Sequence, residues 1–313
     1  MGNELRAAID IGTVTCRLLI AEVTPQGDIV EVCRDHAITD LGVGVDETGH
    51  LAPEAIERAG AAIDRFVAEI REREHETSCT IPCMAVATSA SRDASNADEF
   101  RARLAKTGLE LSIVPGEREA ALSFAGASSA FTGEQVVVVD AGGGSTEVIA
   151  GLAGGSPERA HSFNVGCRRV TERFLQSDPP TASELKQAAE WMRGEFSPYF
   201  DELREAGLLD ARMVAVAGTA TSMISMRERM AVYDSERVHG AVATCADVDE
   251  LLEELASMTL EERRNMVGLN PKRAPVIVGG VLIMQQIMAL AGVDELTVSE
   301  RDILHGIIMA QSA

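Results

Sequence analysis

The chain predicts an α/β protein in which a βββαβα unit is used twice. Two glycine-bearing turns, at residues 12–15 and 142–145, each follow an apolar run that ends in an aspartate, and each leads into a second apolar run. The leading aspartates, Asp10 and Asp140, stand 130 positions apart, so the pattern restarts. After each turn, strand-length apolar runs alternate with segments of helical period.

Residues 5–11, 17–22 and 29–34 read as three consecutive strands. Pro25-Gln26-Gly27-Asp28 turns the chain between the second and third. Pro53 suits the first position of a helix. Ile56, Ala59, Ile63, Phe66, Val67 and Ile70 then fall on one face. A short strand follows at 84–88. Asn96 is expected to cap a helix to Lys106 that stops at Gly108. Residues 111–114 form a strand, and Gly116 leads into a helix through about residue 130.

The second round begins with strands at 135–140, 147–152 and 159–164, with the glycine turn between the first two. Helices are expected at 167–176 and 183–205, and a strand at 213–217 runs into Gly218-Thr219-Ala220-Thr221. Helices at 248–257, 260–267 and 271–291, a strand at 295–299 and a helix from Asp302 complete it. The expected lobes are 1–130 and 131–301, hinged at 128–133. The terminal helix, 302–313, can pack back on the first lobe.

The 313 residues carry a formal charge of −21, with 46% hydrophobic, 25% charged and 4% aromatic residues. That acidity argues against non-specific nucleic-acid or anionic-membrane binding, and the few aromatics argue against a base-stacking surface. No apolar run is long enough to span a membrane. Of 28 basic residues only Lys106, Lys186 and Lys272 are lysine, and the other 25 are arginine. Cys16, Cys33, Cys79, Cys83, Cys167 and Cys245 show no paired zinc spacing and read as thiols in a reducing cytoplasm.

The turns carry the chemistry. Glycine lets backbone N–H groups curl around an anion, and hydroxyls add donors. Gly12, Thr13, Val14 and Thr15 form one such cradle; Gly142, Gly143, Gly144, Ser145 and Thr146 form the other. Asp10 and Asp140 stand where a divalent cation would be held against that anion. Two such tips facing each other across an interdomain cleft would grip a polyphosphate and its metal. The plain alternative for each tip is a tight turn that needs glycine, with the aspartate capping it.

Six ordered strings narrow the reading. They are Asp10-Ile11-Gly12-Thr13, Ala87-Thr88-Ser89-Ala90-Ser91-Arg92, Gly116-Glu117-Arg118-Glu119-Ala120, Asp140-Ala141-Gly142-Gly143-Gly144-Ser145-Thr146-Glu147, Asn164-Val165-Gly166-Cys167-Arg168-Arg169 and Ala217-Gly218-Thr219-Ala220-Thr221. Together they resemble the exopolyphosphatase and guanosine pentaphosphate phosphohydrolase family of the actin-like ATPase superfamily, in its short two-domain type. The resemblance implies duplicated actin-like (ribonuclease H-like) domains and hydrolysis of a terminal phosphoanhydride. It implies Glu119 as the general base, with Glu147 sharing the water, and Arg92 on the phosphate. Arg17 and Arg169 are secondary phosphate candidates. Asp140, Asp10 and Glu147 would hold Mg²⁺ or Mn²⁺. Where the family usually has Ser-Asn-Ser in the first tip, this chain has Thr13-Val14-Thr15 and lacks the amide at 14.

Substrate stays open between inorganic polyphosphate and guanosine pentaphosphate (pppGpp), with an ATP-dependent kinase or ATPase of the same fold as a further reading. Arg168, Arg173, Arg237, His239, Lys272 and Arg273 are candidates for a basic track along a longer chain. A homodimer is compatible with the C-terminal helices. Acidic residues in a first helical turn also interact favourably with the helix dipole, which is the structural alternative for Glu119.

Overall fold

The computed structural model describes residues 3–311. The chain divides into two compact units, Met1–Gly126 with Ile303–Ala313, and Ala127–Asp302. Residues 312 and 313 of the expected terminal helix lie outside the described residues.

The first unit is built on strands β1 (Glu4–Ile11), β2 (Thr15–Val23), β3 (Ile29–Ile38), β4 (Cys83–Ala87) and β5 (Leu111–Ile113). Their order is β3-β2-β1-β4-β5. The β1–β2–β3 meander is antiparallel, whereas β4 and β5 add in parallel. Parallel neighbours need a crossover, and helices Pro53–Thr77 and Ala97–Ala105 provide it.

The second unit uses β6 (Gln135–Ala141), β7 (Thr146–Leu152), β8 (Arg159–Phe163), β9 (Arg212–Val216), β10 (Val242–Thr244) and β11 (Glu295–Val298). Their order is β10-β11-β9-β6-β7-β8. Read from the meander edge, β8-β7-β6-β9-β11 repeats β3-β2-β1-β4-β5 with the same strand senses. The duplicated actin-like fold is therefore present, with β10 as an extra antiparallel edge.

Period-two alternation sorts the first sheet into two cores. Ala7, Ile9, Ile11, Leu18 and Ile20 pack with Ile56, Ile63, Phe66 and Phe100 under the crossover helices. Ala8, Leu19 and Ala21 face Leu122 and the terminal helix Ile303–Ala310 through Ile303, Leu304, Ile307 and Ile308. A sheet covered on both sides explains why these strands read as continuous apolar runs.

Three local expectations need correction. Asn96 sits at the N-cap of Ala97–Ala105 but makes no capping bond. Its amide instead accepts from Leu51 N at 2.8 Å and donates to Leu51 O at 3.0 Å, tying the helix to the chain ahead of Pro53. The expected helix 271–291 is a 3₁₀ turn, Pro271–Arg273, followed by helix Ile277–Ala291, with Ala274–Val276 between them. The segment after β9 becomes a helix, Ala217–Arg227, that the glycine and threonines had obscured.

Candidate active site

Both glycine turns are hairpin tips, and their backbone bonds correspond position by position at the 130-residue offset. In the first, Gly12 N–H donates to Thr15 O at 3.0 Å; in the second, Gly142 N–H donates to Ser145 O at 3.0 Å. Immediately below, Asp10 pairs across the ladder with Arg17, and Asp140 pairs with Glu147. Facing partners on an antiparallel ladder share one side of the sheet.

The carbonyls of each tip are held by neighbouring backbone. In the first tip, Thr13 O accepts from Gly42 N–H at 2.9 Å, and Val14 O accepts from both Thr39 and Asp40 N–H at 2.9 and 3.0 Å. In the second, Gly142 O accepts from Cys167 N–H at 3.0 Å and Gly143 O from Arg168 N–H at 2.9 Å. Arg169 Nε donates to Gly144 O at 3.1 Å. In a planar trans peptide the C=O and the next N–H point opposite ways. Fixing these carbonyls therefore turns the Val14, Gly143, Gly144 and Ser145 N–H groups outward, and these four donate to no acceptor among the described residues.

Small residues permit this packing. A Cβ on Gly166 would lie 2.3 Å from Gly143 O and 2.5 Å from Gly144 C. One on Gly42 would lie 2.3 Å from Thr13 Cγ2. Thr146 Oγ1 donates to Val165 O at 2.5 Å, so its hydroxyl braces the tip from beneath.

The charges below the two tips differ. Arg17 grips Asp10 Oδ2 through Nε at 3.0 Å and Nη2 at 2.7 Å, with Asp10 only 4% exposed. The second tip opposes two carboxylates, Asp140 and Glu147, at 7% and 1% exposure. A cation of the magnesium type takes one or two carboxylates and fills its other positions with water and phosphate oxygens. The Asp140–Glu147 pair offers carboxylates of that kind, and the Asp10 carboxylate is held by the Arg17 guanidinium. No cluster of three or more His, Cys, Asp or Glu suited to a metal occurs among the described residues.

Glu119 and Arg92 come together in the first unit. Val114 N–H donates to Ala87 O, placing the start of helix Gly116–Ser128 beside the carboxyl end of β4. Thr88 N–H donates to Ile11 O and Arg92 N–H to Thr88 O, which brings helix Ser89–Asp93 to the same edge. Arg92 Nη1 then donates to Glu119 Oε2 at 2.9 Å and to Val114 O at 3.2 Å. Ligands of open α/β sheets bind at such carboxyl ends.

Sequence reasoning missed Ser162. It is the β8 partner of Glu147, and its Oγ donates to Glu147 Oε1 at 2.6 Å. The signal was partial: consecutive antiparallel strands at 147–152 and 159–164 place 147 opposite 164 by their ends, and the observed register moves the partner to 162. The 39–42 segment and Gly166 were missed as well, since their contacts with the tips are made by backbone. Cys16 lies directly under the first tip, but burial pushes its thiol up to about 12, so it is no nucleophile near neutrality.

Several track candidates have structural partners. Arg173 stacks over Trp191 and Phe174, Arg168 and Arg237 pair with Glu172 and Glu228, and His239 Nδ1 accepts from Glu300 N–H. The Arg273 guanidinium lies over Gly218, where a Cβ would fall 2.0 Å from its Nη1. Ala217, at the β9 edge, takes a left-handed φ of 66°.

Comparison with known proteins decides the family. The Ppx/GppA phosphatase family model matches residues 19–312. The chain belongs to that family. It is 39% identical to exopolyphosphatase 2 of Mycobacterium tuberculosis, over 97% of both chains. Among solved structures, an exopolyphosphatase-like protein shares 33% identity over 99% of this chain and 98% of its own, with a TM-score of 0.89. The Aquifex aeolicus member of the Ppx/GppA family shares 28% identity over the same proportions, with a TM-score of 0.80. No helix among the described residues is long and apolar enough to cross a membrane.

Proposed function

We propose that this Ppx/GppA family member is an exopolyphosphatase, hydrolysing the terminal phosphoanhydride of inorganic polyphosphate and releasing orthophosphate. The observation that carries the reading is the repeated tip whose carbonyls are bonded inward and whose amides face out. The M. tuberculosis relative's name supplies the substrate class.

In this reading the outward amide of Val14 in the first tip, and those of Gly143, Gly144 and Ser145 in the second, bind phosphate oxygens, and Ser145 adds a hydroxyl. Asp140 and Glu147 hold Mg²⁺ (Mn²⁺ suits the same oxygens), which supplies charge neutralisation on the phosphate. Ser162 fixes the Glu147 carboxylate. Glu119 accepts the proton of the attacking water, and Arg92 orients that carboxylate and offers positive charge as negative charge develops. Arg17 acts through Asp10 and shapes the base of the first tip. Asp10 is the ion-pair partner of Arg17 in this reading.

A second reading, removal of the γ-phosphate of pppGpp, uses the same parts and differs only beyond the terminal phosphate. The test is phosphate release from short polyphosphate, long polyphosphate, pppGpp and ATP, side by side with Mg²⁺ present. Fastest release from polyphosphate is expected. A preference for pppGpp by kcat/KM would replace the first reading with the second, and turnover of ATP alone would remove both.

A further inference from the structure

We propose that Arg58 is a positioning residue that frees the Val14 amide for a substrate oxygen; this rests on the phosphate-cradle reading of the first tip. The ladder between β2 and β3 pairs Cys16 with Ala37 and Thr15 with Ile38. Continued by one step, it pairs Val14 with Thr39. A hydrogen-bonded antiparallel pair exchanges two bonds, one in each direction. Only one is made here. Thr39 N–H donates to Val14 O at 2.9 Å, while Val14 N–H does not return to Thr39 O.

Arg58, on the helix Pro53–Thr77, takes the place of the missing donor. Its Nε donates to Thr39 O at 3.0 Å, and its Nη2 reaches Asp40 O at 3.4 Å. Both carbonyls belong to the residues whose N–H groups hold Val14 O. Asp40 also adopts a left-handed φ of 49°, which lets its N–H join that of Thr39 on the single carbonyl. Thr39 is 2% exposed, so its carbonyl needs a partner inside the protein. The guanidinium supplies it and leaves the tip amide to the ligand. The second tip uses arginine differently: Arg169 binds Gly144 O directly.

Without the guanidinium, the Val14 N–H would close onto Thr39 O and complete the ladder. Amide exchange reads this directly. In the wild-type enzyme, millimolar orthophosphate or tripolyphosphate is expected to slow exchange at Val14. In Arg58→Ala, exchange at Val14 is expected to be slow without any phosphate, and phosphate adds little. The KM for polyphosphate is expected to rise about tenfold, the scale of one lost donor to a charged oxygen, with kcat within about twofold. Arg58→Lys, which can still reach one carbonyl, should fall between, and a thermal melt monitors folding. Identical ligand-free exchange at Val14 in wild type and Arg58→Ala overturns the role of Arg58, whatever the substrate. Wild-type exchange that ignores phosphate overturns the cradle reading on which the proposal rests.

Discussion

Arg92 clasps Glu119: the guanidinium Nη1 lies 2.9 Å from Oε2, with Glu119 at 7% exposure. A carboxylate held this way keeps one orientation beside a fixed positive charge. That suits a base that must accept a proton from a positioned water.

Glu119→Gln keeps the volume and removes the basicity. Phosphate release from polyphosphate should fall by about 100-fold or more, the scale of general-base catalysis. The circular dichroism spectrum should match the wild type. Turnover within about threefold of wild type would take Glu119 out of the base role.

Asp140→Asn removes one charge of the buried pair with Glu147. The Mg²⁺ concentration for half-maximal activity should rise at least about tenfold, and a chelator should abolish wild-type activity. Superimposable Mg²⁺ titrations would remove Asp140 from the metal site.

Arg17→Ala removes the guanidinium that grips the buried Asp10 carboxylate. Breaking a buried ion pair from one side typically costs 3–5 kcal/mol, and the partial exposure of Arg17 places this case near the lower end, about 3 kcal/mol. Urea unfolding checks it. In Asp10→Asn/Arg17→Ala the loss should be well below the sum of the two single losses.

Gly166→Ala should damage the second tip with a modest effect on the fold. Its Cβ would fall on backbone atoms of Gly143 and Gly144, which must shift to admit it. Overpacking of this kind costs about 1–3 kcal/mol. Activity should drop much more than that stability loss explains, and activity equal to wild type would show that the tip tolerates displacement.

Glu31 gives a pH signature. Burial pushes its carboxyl upward, but hydrogen bonds from His305 and Arg34 outweigh that and hold it at about 2. A folded value below the unfolded one stabilises at pH above the ordinary glutamate range, and the contribution fades as pH falls from about 5 toward 2. Urea midpoints measured across that window should decline more steeply for wild type than for Glu31→Gln. Parallel slopes would remove Glu31 from the acid response.

Much of this was legible from residue order. Gly12 and Gly142, with their leading aspartates, mark the tips because φ/ψ freedom and strand periodicity are local properties. The Asp10–Arg17 pair was within reach too: a four-residue turn at 12–15 puts 11 opposite 16 and 10 opposite 17. What escaped was made by backbone or by distant chain. Thr39, Asp40 and Gly42 reach the first tip through backbone N–H groups, which a side-chain motif search does not see. Asn96 shows the converse. Its type suits a helix cap, but Leu51, 45 positions earlier, offers its backbone both a donor and an acceptor.

The first unit has a late arrival. Ile303, Leu304, Ile307 and Ile308 complete one of its two cores, although the second unit intervenes in the chain. During synthesis the amino-terminal sheet emerges with Ala8, Leu19 and Ala21 lacking the cover that Ile303, Leu304, Ile307 and Ile308 supply, although Leu122 already faces them. The usual N-to-C order of domain folding is thereby disturbed: this unit is completed only after the second has been made, and a nascent chain halted short of residue 303 would display part of an apolar sheet face to chaperones.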